Sequence, residues 1–373
     1  MPSRDVIQTL ADLVAIPSIN PAYEGGVSEA AVAQYVEHFF AVRGIETFRQ
    51  EVFPGRYNVI ARLPGRDARR RVILEAHMDT VSVAGMTIPP FTPTVRDGLL
   101  YGRGSCDTKA GLATRMHAVA DLREDRVLPA AEVWMAATVD EEYSFRGVVK
   151  LCEGLEASAA IVAEPTELRM VTASKGVLRF RVRTRGKAAH SAKPHLGSNA
   201  IVHMASVVQA FDSHGRTLAR TAHPLLGPPT LTVSLIRGGE QINFVPDYCE
   251  ISIDRRLVPG EDPMAVWQSY AELAEHLGAE AEEPFIADGA METALNTSVV
   301  DTAQRALIAL GRPIAPAGVP FGSDASKLVR RGIPSIIFGP GSIDRAHAAV
   351  EYVEIDQVLE AAAFLRHFLL EFK

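Results

Sequence analysis

The glycine-rich stretch 101–111 carries one carboxylate, Asp107, directly ahead of a segment with helical spacing. Glycine lets the backbone pass close to other atoms, so this carboxylate has room to approach a bound ion. Aspartate is also favoured as the capping residue at the start of a helix. The stretch alone therefore leaves two interpretations open, a helix cap and a metal ligand.

Other groups that could join Asp107 are spread along the chain, in His77-Met78-Asp79 and Asp140-Glu141-Glu142, and at Glu164 and His347. In an extended segment, side chains 77 and 79 point the same way, so Asp79 could accept the second ring N–H of a metal-binding His77. Of adjacent acids, one can bind metal while its neighbour stays free as a general base. A polar strand end and a solvated acidic loop are the structural alternatives.

Three of these groups follow short apolar runs that predict buried strands, at 71–76, 131–139 and 159–163. His77, Glu141 and Glu164 come one to three residues after these runs. Ligands of open α/β sheets bind beyond the carboxyl ends of the strands. We therefore expect these three side chains to converge.

The candidate ligands are imidazoles and carboxylates, which suit zinc or cobalt better than magnesium. Three carboxylates leave one positive charge on a pair of Zn²⁺ ions, and a bridging hydroxide would cancel it. A metal pair of this kind activates a water molecule and polarises a carbonyl group. The set of residues therefore suits a site for two divalent metal ions.

Strand-like and helical segments alternate over most of the chain, which predicts an α/β fold with a sheet covered on both faces. The length of 373 residues exceeds one ordinary domain and suits two. Between about 176 and 287 the pattern changes to a βαββα set, which predicts an inserted α+β module. Its strand 177–185 alternates apolar residues with arginines, and we interpret the arginine stripe as a solvated face.

The spacing of apolar residues predicts the helices and strands that would position these side chains. Helices are predicted at 4–15, 28–43, 107–122, 198–211, 262–277, 298–310 and 355–372, with another after residue 324. Strands are predicted at 57–63, 71–76, 131–139, 159–163, 177–185, 230–236, 247–257 and 335–338.

The net charge of −7 argues against nucleic acid or an anionic membrane as the main partner. No stretch reaches the ~18 apolar residues of a membrane span, and no secretory signal is visible. Cys106, Cys152 and Cys249 are widely spaced and form no CxxC motif, which is typical of a reducing compartment. We therefore expect a cytoplasmic protein without nucleic-acid or membrane partners.

Eight motifs occur in an order that resembles a known family of enzymes. They are HMDTV at 77–81, GRGSCDTKAG at 102–111, DEE at 140–142, EP at 164–165, GKAAHSAKPHLGSNA at 186–200, GG…NxVPD at 238–247, DRRLVPG at 254–260 and GPGSIDRAH at 339–347. The family is that of the co-catalytic metallo-amidohydrolases, which includes acetylornithine deacetylase, succinyl-diaminopimelate desuccinylase, aminoacylase and glutamate carboxypeptidase. The resemblance covers nearly the whole chain.

The resemblance implies a zinc-peptidase-like catalytic domain, formed by residues 1–175 and 288–373, with a central mixed, mostly parallel sheet. Residues 176–287 would form an α+β, ferredoxin-like lid and dimerisation domain. Through this domain two chains would form a homodimer.

The resemblance also implies roles in the metal site. Asp107 would bridge two divalent ions, Zn²⁺ or Co²⁺. One ion would be completed by His77 and Glu164, the other by Glu142 and His347. Glu141 would be the general base and proton shuttle, and Asp79 would orient His77.

Further implied roles lie in the inserted module and near it. His190, in the AHS motif, would stabilise the oxyanion, in its own site or in that of a partner subunit. Asn243 and Arg256 would hold the carboxylate of the substrate, a task that suits a planar guanidinium. Lys175 and Gly322 would contact the substrate. Arg255 is instead expected to pair with a nearby acid.

These roles imply an enzyme that cleaves the amide bond of an N-acyl amino acid by attack of a metal-bridging hydroxide, as in acetylornithine deacetylase. A succinyl-diaminopimelate desuccinylase and a carboxypeptidase or dipeptidase acting on short peptides are alternatives within the family. A non-catalytic protein that binds metal or a small molecule is an alternative of another class. The presence of both Glu141 and His190 favours the enzyme.

Overall fold

The structure is a computed structural model that describes residues 5–373. Residue 4, with which the first predicted helix begins, lies outside the described residues. Within residues 5–373, none of the helices combines the length and the apolar character that crossing a bilayer requires.

The helices of the described residues lie close to the predicted ones, with the short α4 added. They are α1 (Asp5–Ala15), α2 (Ala30–Ala41), α3 (Ala110–Glu124), α4 (Arg146–Leu151), α5 (Ala200–Thr217), α6 (Pro263–His276), α7 (Ser298–Ala309), α8 (Ala325–Arg330) and α9 (Ile355–Glu371). Asn199 and Asp262 cap α5 and α6, because their side-chain oxygens accept N–H groups of the first turn.

The strands include every predicted one and several short additions. They are β1 (Glu46–Phe53), β2 (Arg56–Leu63), β3 (Asp67–His77), β4 (Thr94–Arg96), β5 (Leu99–Tyr101), β6 (Ala131–Thr138), β7 (Ala159–Val162), β8 (Val171–Ser174), β9 (Gly176–Arg185), β10 (Ala189–His190), β11 (Thr230–Gly238), β12 (Phe244–Val245), β13 (Tyr248–Leu257), β14 (Glu280–Ala281), β15 (Ile286–Asp288), β16 (Met291–Glu292), β17 (Ala317–Val319), β18 (Ser335–Ile337) and β19 (Tyr352–Glu354). The longest addition, β1, is half-exposed and rich in charged residues, so it has no apolar run that would have marked it.

The chain divides into two compact units. The first unit comprises Met1–Thr172, Thr293–Ala317 and Ser323–Lys373, and the second comprises Ala173–Glu292 and Gly318–Gly322. The module predicted at 176–287 falls inside the second unit. The second unit also takes in Gly318–Gly322, which the prediction assigned to the catalytic domain.

The central sheet of the first unit has the strand order β1-β2-β6-β3-β7-β18-β8. The pairings of β6 with β3, of β3 with β7 and of β7 with β18 are parallel, and the outer pairings are antiparallel. This is the predicted α/β architecture, with a mixed sheet whose central strands are parallel. His77 at the end of β3 lies opposite Thr138 at the end of β6, so the ends of neighbouring strands lie side by side.

Both faces of this sheet are covered. Three successive residues of β3, Val72, Ile73 and Leu74, are fully buried, as expected for a strand with helices on both sides. Leu112 of α3 and Phe364 of α9 belong to the same core cluster as Val72. A small antiparallel sheet of the first unit has the order β19-β5-β4.

The second unit is an α+β fold with the order β11-β13-β9-β14 in its antiparallel sheet. The succession β9, α5, β11, β13, α6, β14 is the βαββαβ arrangement of a ferredoxin-like fold. Leu178, Phe180 and Val182 of β9 are buried against its helices, as predicted from their alternation. On the other face, the arginines pair with acids, for example Arg179 with Asp254 at 2.8 Å.

Candidate metal centre

The carboxyl ends of β3, β6 and β7 carry an imidazole and two acids. His77 is the last residue of β3, Glu141 follows β6, and Glu164 follows β7. One ligand atom from each of these three side chains lies within 4.8 Å of the other two. The structure therefore brings together the three side chains whose convergence the sequence predicted.

Asp107 lies in a kinked turn, Ser105–Lys109, directly before α3. The prediction of a helix beginning at Asp107 was wrong at its start, because φ of −120° and ψ of 94° at Asp107 are not helical. Helix α3 begins at Ala110, and its N-cap position is Lys109. Gly104 before the turn has φ of 82°, a left-handed conformation that favours glycine. Asp107 therefore does not cap α3.

The two carboxylate oxygens of Asp107 face different imidazoles. Oδ1 lies 3.2 Å from Nε2 of His77, and Oδ2 lies 3.2 Å from Nε2 of His347. Nε2 of His347 is also 3.2 Å from Oε2 of Glu142. Ligand atoms of His77, Asp107 and Glu142 form a second group within 4.8 Å of one another. Asp107 thus lies between two groups of candidate ligands.

The two imidazoles differ in their surroundings. The side chain of His77 is 2% exposed and that of His347 is 53% exposed. His347 has φ of 58°, a left-handed backbone conformation that is costly for a residue other than glycine and is typical of functional sites. The centre is therefore closed at His77 and open to solvent at His347.

This set of donors fits divalent metal ions. Imidazole nitrogens and carboxylate oxygens are the ligands that zinc and cobalt take in proteins. Asp107, Glu141 and Glu164 are at most 9% exposed. Carboxylates buried this close together repel one another unless a cation neutralises them. The chemistry of these residues therefore calls for added positive charge.

The pKa values of the cluster also indicate that positive charge would stabilise it. Burial, and after it the charge of Asp107, raises the pKa of Glu142 to about 7. Burial, with a contribution from neighbouring carboxylates, raises the pKa of Glu141 and Glu164 well above the usual value. Hydrogen bonds to Asp107 and Glu142 raise the pKa of His347 to about 11. The cluster therefore retains protons that a metal cation would displace.

Asp79 is fully buried and fixes the acidic pair that follows β6. Its Oδ1 accepts the backbone N–H of Glu141 at 3.2 Å, and its Oδ2 accepts that of Glu142 at 3.1 Å. Nδ1 of His77 lies 3.0 Å from the backbone oxygen of Asp79 and 3.5 Å from its Oδ1. The main chain of Asp79 thus makes the shorter contact to His77, while its carboxylate holds Glu141 and Glu142.

Comparison with known proteins adds to this geometry. Residues 73–371 match the sequence model of peptidase family M20/M25/M40. The chain belongs to this family. Over 372 residues, it is 30% identical to acetylornithine deacetylase of Myxococcus xanthus, with 98% of this chain and 96% of the relative covered. It is also 30% identical, over 382 residues, to succinyl-diaminopimelate desuccinylase of Corynebacterium glutamicum, with the same coverage.

A solved structure of a tripeptidase from Staphylococcus aureus has the same fold as this M20 chain. The TM-score is 0.81 at 22% identity, with 98% of this chain and 97% of that chain covered. Another solved structure of similar fold, with a TM-score of 0.74 at 18% identity, is the YXEP protein of Bacillus subtilis, a dinuclear metal-binding peptidase of the M20 family. Membership of the family makes this chain a hydrolytic enzyme. The alternative of a non-catalytic binding protein is therefore set aside.

Two of the predicted residues of this M20 enzyme are neighbours in a small two-stranded sheet of the second unit. His190 ends β10, and Asn243 directly precedes β12, which pairs with β10. The backbone N–H of Ser191 donates to the backbone oxygen of Asn243 at 3.0 Å. The side chains of His190 and Asn243 are both exposed.

The other predicted substrate contacts form a second group in that unit. Arg256 lies opposite Val177 in the pairing of β13 with β9, and a Cβ at Gly322 would lie 3.2 Å from Val177. Burial, with Arg256 nearby, lowers the pKa of Lys175. Nε of Arg256 donates to Asp254 at 2.7 Å.

Arg255 differs from Arg256 in its surroundings. It is 1% exposed, pairs with Glu261 and donates to Tyr270. The prediction that Arg255 pairs with an acid is confirmed.

Some residues that support the centre were missed by the sequence analysis. Asn20 is fully buried, and its Nδ2 donates to Asp79 at 2.8 Å and to Asp140 at 3.0 Å. Asn20 lies between Ile19 and Pro21, where it has the features of an ordinary turn residue. Nothing in its local sequence indicated that it supports two acids far along the chain.

A buried cluster behind His77 was also missed. Oγ1 of Thr138, opposite His77 in the sheet, donates to Glu75 and lies 3.4 Å from Oδ2 of Asp324. Gly322 was predicted to contact the substrate and a helix was predicted after residue 324, but no role was predicted for Asp324. Its position directly before a helix is typical of a cap, although its side chain makes no capping bond.

Proposed function

We propose that this enzyme is a two-metal amidohydrolase that releases the acyl group from an N-acyl amino acid, as an acetylornithine deacetylase does. The observation that carries the proposal is the position of Asp107, whose oxygens each lie 3.2 Å from a different imidazole. A carboxylate in that position is suited to bridge two ions. The 30% identity to acetylornithine deacetylase of Myxococcus xanthus supports the substrate class.

Each ion would be held by residues from distant parts of the chain. His77 and Glu164 would hold one ion and Glu142 and His347 the other, with Asp107 shared by both. The ions would be Zn²⁺ or Co²⁺. When bound, they would polarise the amide carbonyl and make a water molecule more acidic.

Glu141 is our proposed general base. Its side chain is buried beside His77 and Glu164 rather than solvated in an exposed loop. Burial raises its pKa well above the usual value, which makes it a better proton acceptor once it is ionised. Glu141 would take a proton from the attacking water and pass it to the nitrogen of the leaving amine.

His190 is our proposed donor to the oxyanion. Its Nδ1 accepts the backbone N–H of Ala192 at 3.1 Å. In the neutral ring the proton therefore lies on Nε2, which can donate it to a developing negative charge. Asn243 and Arg256 would hold the carboxylate of the substrate, and Lys175 and Gly322 would contact the rest of it.

A homodimer through the second unit is also proposed. Strand β11 lies at the edge of its sheet, where Leu235 and Ile236 are 55% and 59% exposed. Val202 on α5 is 65% exposed. Exposed apolar side chains beside an unpaired strand edge favour association with a second chain. In such a dimer, His190 would serve its own site or that of the partner.

A cytoplasmic location is likewise our proposal. Cys106, Cys152 and Cys249 are all free and buried. Thiols kept in this state are usual in a reducing compartment.

Desuccinylation is the second candidate activity, since the desuccinylase of Corynebacterium glutamicum is also 30% identical to this chain. Zn²⁺-loaded and Co²⁺-loaded enzyme should be assayed with N-acetyl amino acids, N-succinyl-diaminopimelate and dipeptides. We expect the highest kcat/KM with an N-acetyl amino acid. A preference for the succinyl compound or for dipeptides would overturn the proposed substrate, and no hydrolysis of any of them by enzyme with two bound ions would overturn the proposed reaction.

A further inference from the structure

Glu351 is a fully buried acid that lies four residues after His347 and has no part in the roles proposed above. Its Oε1 accepts the backbone N–H of Cys106 at 3.0 Å and that of Asp107 at 3.1 Å. Its Oε2 accepts Nη1 of Arg103 at 2.6 Å. Both oxygens of Glu351 thus accept hydrogen bonds from residues 103–107, the segment that carries Asp107.

Arg103 extends this contact. It is 2% exposed, and its Nη2 donates to the backbone oxygen of Ser82 at 3.0 Å. The backbone N–H of Gly102 also donates to the backbone oxygen of Glu351 at 3.1 Å. Main chain and side chain therefore hold the segment after His347 against the segment before Asp107.

The small sheet of the first unit brings these two segments together. Strand β5 leads into the turn of Asp107, and β19 leads away from the loop of His347. In their antiparallel pairing, Tyr352 lies opposite Tyr101. Glu351 comes directly before this last pair, so it lies beside the segment that runs from Tyr101 to Asp107. A further contact is made by Cys106, whose Sγ lies 3.4 Å from the backbone oxygen of Ser342.

We infer that Glu351, ion-paired with Arg103, is a positioning residue that holds Asp107, and with it the segment that follows His347, in place for metal binding. The inference rests on the proposed metal-binding roles of Asp107 and His347. Hydrogen bonds to an ionised carboxylate are stronger than those between neutral groups, and here they fix the backbone of Asp107 itself. Residues that hold ligands in this way typically change metal affinity by about 10–100-fold when they are replaced.

The test must distinguish two effects of replacing Glu351. One is the general cost of leaving a buried charge unpaired, and the other is the loss of the oxygen that holds the backbone of Asp107. Removing one partner of a buried pair leaves an unpaired charge and destabilises a protein whatever its function. Two double variants avoid this, Arg103→Met/Glu351→Gln and Arg103→Met/Glu351→Leu. Both lack the buried charges, but only glutamine keeps an oxygen that can accept the N–H groups of Cys106 and Asp107.

The measurement is the titration of metal-free protein with Zn²⁺ against a chromophoric chelator, together with the visible spectrum of the Co²⁺-loaded protein. We expect the variant with glutamine to bind Zn²⁺ like the wild type. The variant with leucine should bind one or both ions about 10–100-fold more weakly and show an altered Co²⁺ spectrum. Equal affinities and spectra for the two double variants would overturn the inference.

A further double variant and a control complete the design. Arg103→Met/Glu351→Met also lacks the buried charges and any oxygen that can accept the two N–H groups, and its flexible side chains can fill the space, so weakened Zn²⁺ binding is expected here too. If the variant with leucine does not fold, the variant with methionine decides the question, and wild-type affinity in it would overturn the inference.

Glu132 provides the control. It is 1% exposed and paired with Arg62 and Arg71 in the first unit. Glu132→Gln should lower stability and leave Zn²⁺ binding unchanged. Wild-type protein that binds no Zn²⁺ at all would instead refute the proposed metal site.

Discussion

The two units of the molecule hold their proposed functional residues in different ways. In the first unit, His77, Asp79 and Asp107 are at most 6% exposed, and each lies within hydrogen-bonding distance of other polar groups of the site. In the second unit, His190 and Asn243 are exposed at a small two-stranded sheet. Nδ1 of His190 accepts the backbone N–H of Ala192, and the backbone oxygen of Asn243 accepts that of Ser191.

This difference separates two kinds of site. The first unit pre-organises its acids and imidazoles with its own chain, so a bound ion would meet ligands already in place. The second unit leaves the side chains of His190 and Asn243 open, so these two would gain partners from substrate or from a second chain. Losses in the first unit should therefore affect metal binding or chemistry, and losses in the second should affect chemistry alone.

The largest effect is expected for Glu141→Ala. Loss of a general base lowers kcat by about 10²–10⁴-fold. Bound Zn²⁺, measured by elemental analysis, should stay at the wild-type level because Glu141 is not a proposed ligand. Glu153→Ala, an exposed acid of the first unit, serves as the control and should keep full activity. Undiminished turnover in Glu141→Ala would refute its assignment as the base.

A smaller loss is expected for His190→Ala in the second unit. Removal of a donor to an oxyanion costs about 10²–10³-fold in kcat. Zn²⁺ content should not change, since His190 is not a proposed ligand. His276→Ala, at an exposed position of α6, is the matched control. If Zn²⁺ content and kcat fell together, His190 would be a ligand or structural residue and the comparison of the units would fail.

Asp79→Asn should have an intermediate effect on the first unit. Its carboxylate accepts N–H groups of both Glu141 and Glu142, and an amide would put a donor against one of them. We expect Zn²⁺ affinity to fall by about 10–100-fold, as measured by chelator competition. Unchanged Zn²⁺ affinity with a reduced kcat would mean that Asp79 positions the base Glu141 and not the ligand Glu142.

The smallest effect concerns the stability of the first unit rather than its chemistry. Burial, and after it the charge of Arg43, lowers the pKa of His117 from 6.5 to about 4. Above pH 6.5 the ring is neutral in both states. As the pH falls below 6.5, the unfolded chain takes up a proton that the folded chain does not, so stability is lost.

At pH 5 this loss should reach about 2 kcal/mol relative to pH 7. His117→Gln can keep the contact with Thr9 and removes the titration. Urea unfolding should therefore show a steeper decline in stability between pH 7 and 5 for the wild type than for the variant. Parallel declines would mean that His117 is not held neutral by burial.

Sequence reasoning succeeded where local patterns carried the information. His77, Glu141 and Glu164 were placed correctly because apolar runs marked the strands and the acids followed at once. The helix at Asp107 was started too early, because helical spacing from Leu112 onward gave no sign of the turn at Ser105–Lys109. Glu351 could not be found at all, since the N–H group it holds at Cys106 is 245 residues away in the chain.

The most direct measurement is anomalous X-ray diffraction at the zinc edge, on crystals of the Zn²⁺-loaded protein. We predict two peaks beside Asp107, one at each carboxylate oxygen, the first also bonded to His77 and the second to His347. A single peak, or two peaks bonded to other residues, would contradict the proposal that Asp107 bridges two ions.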